Sequence, residues 1–536
     1  MQAQQAAPPG VVLDGRGHHA AGQMAGALET KKAALLEKAQ AIAGETLDPA
    51  QQVTAERLIT EFYEHVPPAD IAERTPSDLW GAARSFWRFA ERRRPGQAKV
   101  RVYNPEPTAD GWSSPHTIVE IVNDDMPFLV DSISLAINAS GRVVHLVIHP
   151  IMTVARDPTG RLGEFCGSTA AGLHESWMQI EITRQSDHQD LARLTQALSG
   201  VLADIRAAVN DWQPMRQCLR KFVDELAQPP APPVPPAELA EVRDFLRWLD
   251  DDYFTFLGYR EYVFDGMAAP CHGPLGILRD EAHPIFGGLR DLSSLPPDVQ
   301  DFVRRRELLV ITKSNRRATV HRTAHMDAIG LRRFAPSGEV VGIRLFLGLF
   351  TSLAYSRNPN SIPLLRLKVR QIVQRAGLAP TTHDGKALLH ILDTFPRDEL
   401  FQTDADQLFE TVIAILNLQE RQRIALFIRR DPLERFVSCL VYVPRERYDT
   451  ALRDHFAAIL EEAFAGQLST STFTSTNLRW RASNSSFARP GAACRPSTTR
   501  PSKSGSPMPG AAGQIVLRRR RPPPLAKRRR ELGCAA

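Results

Sequence analysis

The chain has 536 residues, 43% hydrophobic and 24% charged, a globular composition with room for about two to four domains. Its net charge of +6 is uneven: residues 467–536 hold 14 Lys and Arg against the single acid Glu531, whereas residues 1–466 hold 52 basic and 59 acidic side chains. An acidic body excludes a fold built throughout on nucleic acid, and six cysteines never closer than 40 positions exclude CxxC pairs and zinc spacings.

The opening MQAQQAAPPG has neither the basic nor the apolar region of a signal peptide, and residues 1–24 read as disordered. Helical periodicity follows over Ala25–Ala43, Pro49–Glu64 and Pro76–Arg94, with Asp48 placed to cap the second, so residues 25–97 form a helical lead-in. From 98 to 227 the period changes. His116–Asn123 alternates as a strand, Asp125 is placed to cap a helix from about Pro127 to Asn138, and Val143–Arg156 and Glu175–Thr183 are strand-like. Asp187–Trp212 is a long helix. The order β-α-β-β-α is most of a ferredoxin-like unit.

Six prolines in Pro229–Pro236 favour an extended spacer, and residues 228–237 read as a linker. Over 238–420 the pattern gives a helix at Glu238–Leu249, strands at Tyr253–Val263, Leu308–Val320 and Val340–Leu349, and helices at Ser361–Ala376, Gly385–Thr394 and Ala405–Gln419. Residues 421–466 give strands at Arg423–Ile428 and Phe436–Val443 and a helix at Asp449–Phe464, a module that begins and does not finish. The most apolar stretch, Val340–Phe350, is too short to span a bilayer and carries Arg344, so a cytoplasmic protein without membrane attachment is expected. From 467 on the chain reads as a disordered basic tail. The abrupt loss of acids fits a coding sequence read out of frame, with a nucleic-acid-binding arm as the competing account.

The stretch Asn123-Asp124-Asp125-Met126-Pro127-Phe128-Leu129-Val130-Asp131-Ser132 carries the strongest site signal. It sets three carboxylates around a strand-to-helix turn whose free N–H groups attract an anion, with simple capping as the plainer alternative. Asp124, Asp125, Asp131 and Ser132 are the candidate effector-binding residues. His321 and His325 have the spacing of a helical zinc pair, but Arg322 follows the first and the local pattern is strand and turn, so no metal site is assigned. Asp250-Asp251-Asp252 reads as a solvated turn, and Lys313-Ser314-Asn315-Arg316-Arg317 as an exposed hairpin. No GxGxxG, GxxxxGK[ST] or GxSxG is present, so no catalytic or cofactor-binding residue is assigned.

Several blocks resemble the N-terminal half of the large bacterial NAD-specific glutamate dehydrogenases: Asp124–Ser132, HPIMTVARD at 149–157, Glu175–Glu181, Phe245–Tyr259, Lys313–His321 and Phe395–Phe401, in the family's order over residues 25–466. The resemblance implies an α+β fold of ferredoxin-like, ACT-like modules interleaved with helical segments, the ACT-like modules being amino-acid sensors. It implies a regulatory and assembly fragment of an enzyme that converts L-glutamate and NAD to 2-oxoglutarate, ammonia and NADH. The active-site lysine and the NAD-binding fold lie in a later domain, so the chain is expected to be inactive alone, with NAD the cofactor of the full-length family only. The implied partners are an amino-acid effector, further copies of the chain or the missing catalytic portion; nucleic acid is not favoured. A stand-alone binding or scaffolding protein is the alternative.

Overall fold

The computed structural model describes residues 15–165, 172–227, 234–264, 271–279, 297–418, 423–433, 435–444, 449–474, 479–484 and 510–519. They fall into two compact units, residues to Asn210 together with Ala318–Thr323, and the remainder.

In the first unit, four helices, α1 (Gly15–Thr46), α2 (Pro49–Tyr63), α3 (Pro68–Ala72) and α4 (Pro76–Ala90), precede the sheet. α1 begins ten residues before the expected start, so the disorder anticipated for 1–24 fails from Gly15 onward, because the Ala-rich HHAAGQMAGAL continues the helical register. Asp48 caps α2 as expected, accepting from the Gln51 N–H at 2.9 Å, and Thr75 caps α4, accepting from the Asp78 N–H at 3.1 Å. Leu58, Ile59, Phe62, Leu79 and Phe86 of these helices bury against Val122, Met152, Val154 and Trp177 of the sheet. The Phe86 ring stacks on Trp177 with centroids 5.2 Å apart.

The sheet runs β1 (Lys99–Tyr103), β2 (Thr117–Asp124), β6 (Leu173–Ile182), β4 (Ile151–Arg156), β5 (Leu162–Phe165), with β3 (Val144–Ile148) also on β6, and every pairing is antiparallel. β3 and β4 are one strand interrupted at His149-Pro150. Helices α5 (Leu129–Ala139) and α6 (His188–Asn210) pack on each other, and α6 also packs on β1. The order is ferredoxin-like with one difference from the sequence reading: the place of the fourth strand is taken by β1, from upstream of the motif. KVRVY alternates charged and apolar residues, but over only five positions, all of them half-buried, and so it gave too short a signal for a strand.

In the second unit the chain resumes with α7 (Trp212–Glu225) and α8 (Pro236–Trp248). The division therefore falls at Asn210/Asp211, not at the proline run, of which residues 229–233 lie outside the described residues. Met215, Leu219 and Phe222 of α7 bury with Val242, Phe245 and Leu246 of α8, and this shared core places α7 in the second unit. A five-stranded antiparallel sheet has the order β8 (Cys271–Gly276), β7 (Phe254–Val263), β11 (Val340–Phe350), β10 (His325–Phe334), β9 (Leu309–Arg317). α9 (Pro297–Arg304) precedes β9, and its C-terminal carbonyls at Phe302 and Val303 accept from the buried Arg332 guanidinium at 2.6 and 3.2 Å.

A helical layer comes next: α10 (Ser352–Ser356), α11 (Leu365–Ala376), α12 (His383–Thr394), α13 (Arg397–Gln402) and α14 (Ala405–Leu418). Lys368 Nζ donates to the carbonyls of Leu400 and Thr403 at 2.7 and 2.6 Å, ending α13. Asp250 is more than a solvated turn, since it accepts from Arg216 at 2.5 Å and Arg220 at 2.7 Å. Lys313 corrects the exposed-hairpin reading: it is largely buried, 2.6 Å from Asp327 and 3.3 Å from Asp398.

The third sheet has the order β12 (Ala425–Arg430), β13 (Phe436–Pro444), β16 (Gly510–Arg519), β14 (Gly466–Thr474), β15 (Arg479–Asn484), with α15 (Thr450–Ala463) between β13 and β14. Disorder was expected over 467–536, and over 421–466 an unfinished module. Residues 467–474, 479–484 and 510–519 are strands instead. GQLSTSTFT is rich in β-branched and hydroxyl residues, and it takes its ladder from β16, which itself pairs with β13. The KRRR stretch at 527–530 lies outside the described residues.

Candidate functional site

The turn between β2 and α5 is built by an unusual backbone. Phe128, at φ 73°, holds the N-cap position of α5 in the left-handed region, and no side chain caps the helix. Asp125 therefore does not cap α5 as the sequence suggested. Its N–H donates instead to the His174 carbonyl at 2.9 Å, extending the β2–β6 ladder by one bond, and its side chain is exposed.

Asp124 is half-buried and fully engaged. Oδ1 accepts from Arg93 at 2.6 Å, and Oδ2 accepts from Arg206 at 2.5 Å and from the Gly96 N–H at 3.0 Å. Burial alone would raise its carboxyl, but hydrogen bonds from Arg93 and Arg206, with their charges, outweigh it and hold the group below the usual carboxylate range. Arg93 continues the chain of charge to Glu175, which also accepts from Arg156 at 2.5 and 2.7 Å and from the Trp177 indole N–H at 3.1 Å. Burial works to raise Glu175 as well, and here too the Arg156 hydrogen bond and the two guanidinium charges prevail, leaving its carboxyl lowered. Three arginines and two carboxylates thus lock the C-terminal end of β2 to β6, β4 and α6.

Ser132 is buried on the first turn of α5. Its hydroxyl donates to the Phe128 carbonyl at 2.5 Å and accepts from the His321 N–H at 2.9 Å. The segment Ala318–Thr323 belongs to this unit: Thr319 Oγ1 donates to Asp204 of α6 at 2.6 Å, and the His321 ring lies on Phe128, centroids 5.1 Å apart. His321 is also left-handed, at φ 70°, so two strained non-glycine residues face each other across the turn. Asp131 is exposed, with Oδ2 3.8 Å from His321 Nδ1.

The four residues singled out in the sequence therefore divide. Asp124 and Ser132 are engaged inside the unit, whereas Asp125 and Asp131 present carboxylates to solvent. His321, Arg93 and Arg206 were missed as parts of the turn, and Phe128, inside the quoted stretch, was not singled out. The nearest signal was the polar KSNRRATVH block, which places His321 there only through a contact 189 positions away in sequence. Among the described residues no group of three His, Cys, Asp or Glu is arranged to hold a metal, and no helix is long and apolar enough to cross a membrane.

Models of three glutamate dehydrogenase domains match this chain: the ACT1 domain over residues 58–198, helical motif 1 over 362–421 and the ACT2 domain over 425–487. The NAD-specific glutamate dehydrogenase of Halomonas elongata is 36% identical over 425 residues, covering 78% of this chain and 26% of the relative. That of Pseudomonas aeruginosa is 37% identical over 414 residues, 75% of this chain and 25% of the relative. That of Mycobacterium tuberculosis is 30% identical over 385 residues, 71% and 22%. The chain spans about a quarter of the length of the curated relatives it matches.

Proposed function

From a chain that belongs to the N-terminal region of the NAD-specific glutamate dehydrogenases, we propose a regulatory and assembly role: it senses an amino-acid effector for catalysis carried out elsewhere in the enzyme. The enzyme so regulated oxidises L-glutamate with NAD to 2-oxoglutarate, ammonia and NADH, in the cytoplasm. One observation carries the reading above the others. A ferredoxin-like sheet, a helical motif and a second ACT domain succeed one another in the order of the matched dehydrogenase domains.

The residues present do not fit NAD. No glycine-rich turn of the form GxGxxG follows a strand, and the sheet of the first unit and the β7–β11 sheet are antiparallel throughout, without the parallel βαβ pair that aims a helix at a pyrophosphate. No hydride-transfer step is assigned to these residues.

At the α5 turn the chemistry suits an amino acid. Asp125 and Asp131 offer carboxylates to an ammonium, and the uncapped N-terminus of α5 offers N–H groups to a carboxylate. Asp124 and Ser132 act as positioning residues, the first through Arg93 and Arg206 and the second through Phe128 and His321. Copies of the chain, or the polypeptide carrying the catalytic domain, are the partners this role requires.

Two measurements test the reading. The purified 536-residue chain, given L-glutamate and NAD, is expected to form no NADH; NADH formation by the chain alone would sink the regulatory reading. Calorimetric titration with a panel of L-amino acids is expected to find a ligand whose binding weakens by about tenfold or more in D125A/D131A. Unchanged binding in that variant would remove the turn from the account.

A further inference from the structure

A second, unrelated cleft lies in the helical part of the first unit. About 430 Å³ in volume, it is lined by Gln51 of α2, by Arg84, Trp87, Arg88 and Glu91 along α4 and its end, and by Arg161 at the start of β5. The β4–β5 hairpin is fixed against the end of α4 by backbone bonds: Leu162 N–H donates to the Glu91 carbonyl at 2.7 Å, and Arg93 N–H donates to the Gly160 carbonyl at 2.8 Å. This sets Arg161 3.6 Å from Glu91, so the one carboxylate of the cleft is shared with the one guanidinium that comes from the hairpin.

The other two cations have no such partner. Among the described residues no ion pair or hydrogen bond joins the guanidinium of Arg84 or of Arg88 to another group, and the two stand one helical turn apart on α4, where like charges destabilise a helix. Burial, and then the charge of Arg88, lower the Arg84 guanidinium from its usual value. The indole of Trp87 lies between them in sequence, packed by one part against the core and facing the cleft with another. A surface of this kind has cations in excess, a flat aromatic wall and enough room for a nucleotide-sized molecule.

We propose that this cleft binds a small organic polyanion bearing a planar ring, with nucleoside phosphates as the class: Arg84, Arg88 and Arg161 engage the phosphate oxygens and Trp87 stacks on the base. The site shares no residue with the α5 turn, and it stands whether or not the amino-acid reading of that turn holds. A nucleotide held here ties α4 to the β4–β5 hairpin, which gives the regulatory unit an input distinct from an amino acid.

The test is equilibrium dialysis of the full 536-residue chain with ATP, inorganic triphosphate and adenosine, beside R84Q/R88Q. Both proteins keep the Arg-rich stretch at 518–521, so binding there cancels in the comparison. ATP is expected to bind the wild type and to weaken by about tenfold or more in R84Q/R88Q, with triphosphate binding several-fold more weakly than ATP. No ATP binding, or equal binding by R84Q/R88Q, overturns the site; triphosphate binding as tightly as ATP overturns the role of Trp87 and the nucleoside class. Far-UV circular dichroism checks the fold of the double variant. Should it fail to fold, R161Q, on the exposed hairpin, decides the question on the same terms.

Discussion

Arg93 shows how much one side chain of this unit carries. Its guanidinium donates to Glu175, Asp124 and the Gln97 carbonyl, and its side chain is 1% exposed. Arg93→Met would leave Asp124 and Glu175 short of a counter-charge in a buried place, a loss expected to cost about 3–5 kcal/mol in urea unfolding followed by circular dichroism. The same pair sets an acid limit. Both carboxyls are lowered in the folded chain, so they bind fewer protons there than when unfolded. The stability they contribute is complete above the ordinary carboxylate pKa of about 4 and is lost as pH falls through the lower folded values.

His149 adds a milder dependence at higher pH. Burial lowers its imidazole, against a smaller opposing effect of Asp125, so the unfolded chain takes up the proton first. Its contribution is present above about pH 6.5 and declines below it. Thermal melting across pH 4 to 8 should show this decline in the wild type and lose it in His149→Asn; an identical slope in both would remove His149 from the account. None of these partnerships was legible in the sequence. Asp124 announced itself as a charge at a turn, but Arg93 and Arg206 lie 31 and 82 positions away, a separation no local pattern encodes.

At the level of the elements, periodic segments were legible and charged strands were not. The helices α2, α4, α6, α8, α12 and α15 fall where apolar spacing put them, because one face of each is buried and the other is wet. β10 escaped notice because HMDAIGLRRF places Asp327 and Arg332 in the interior of a central strand. There Asp327 is paired with Lys313, and Arg332 donates to the Phe302 and Val303 carbonyls at the end of α9 and to the Glu307 carbonyl beyond it. The start of α5 was misread for a related reason: an aspartate before a helix usually caps it, but here a left-handed Phe128 fills the cap position.

Hairpin β4–β5 offers a direct test of element docking. Gly160 has φ 83°, and a Cβ there would sit 2.5 Å from the Arg93 carbonyl oxygen. Gly160→Ala therefore strains the backbone and pushes the hairpin off the end of α4, with an expected loss of more than about 1 kcal/mol in the same unfolding assay. A loss near zero would mean that the hairpin docks without this contact.

For the whole molecule, the ferredoxin-like character of the first unit was legible from its β-α-β-β-α order and its ACT-like character from the family resemblance, whereas the division into units was not. A proline run looked like the natural border, yet α7 precedes that run and packs with α8 beyond it. The six residues that return to the first unit from between β9 and β10 could not have been anticipated, because ATVHRT carries no signal of where it docks.

That return has a consequence in time. A ribosome releases the chain from its first residue to its last, so the β2–α5 turn exists long before its own completing segment has been made. At synthesis rates of about 5–20 residues per second, the roughly 110 residues between the end of α6 and Thr323 keep the nascent unit waiting on the order of ten seconds. During that interval Ser132 and Phe128 lack His321, and the first unit stands open to chaperones, to proteases and to other half-made chains. Ribosome-stalled chains ending near residue 300 should lose α5 to limited proteolysis sooner than chains ending near residue 370. Equal protection at both lengths would mean that the first unit closes on its own schedule.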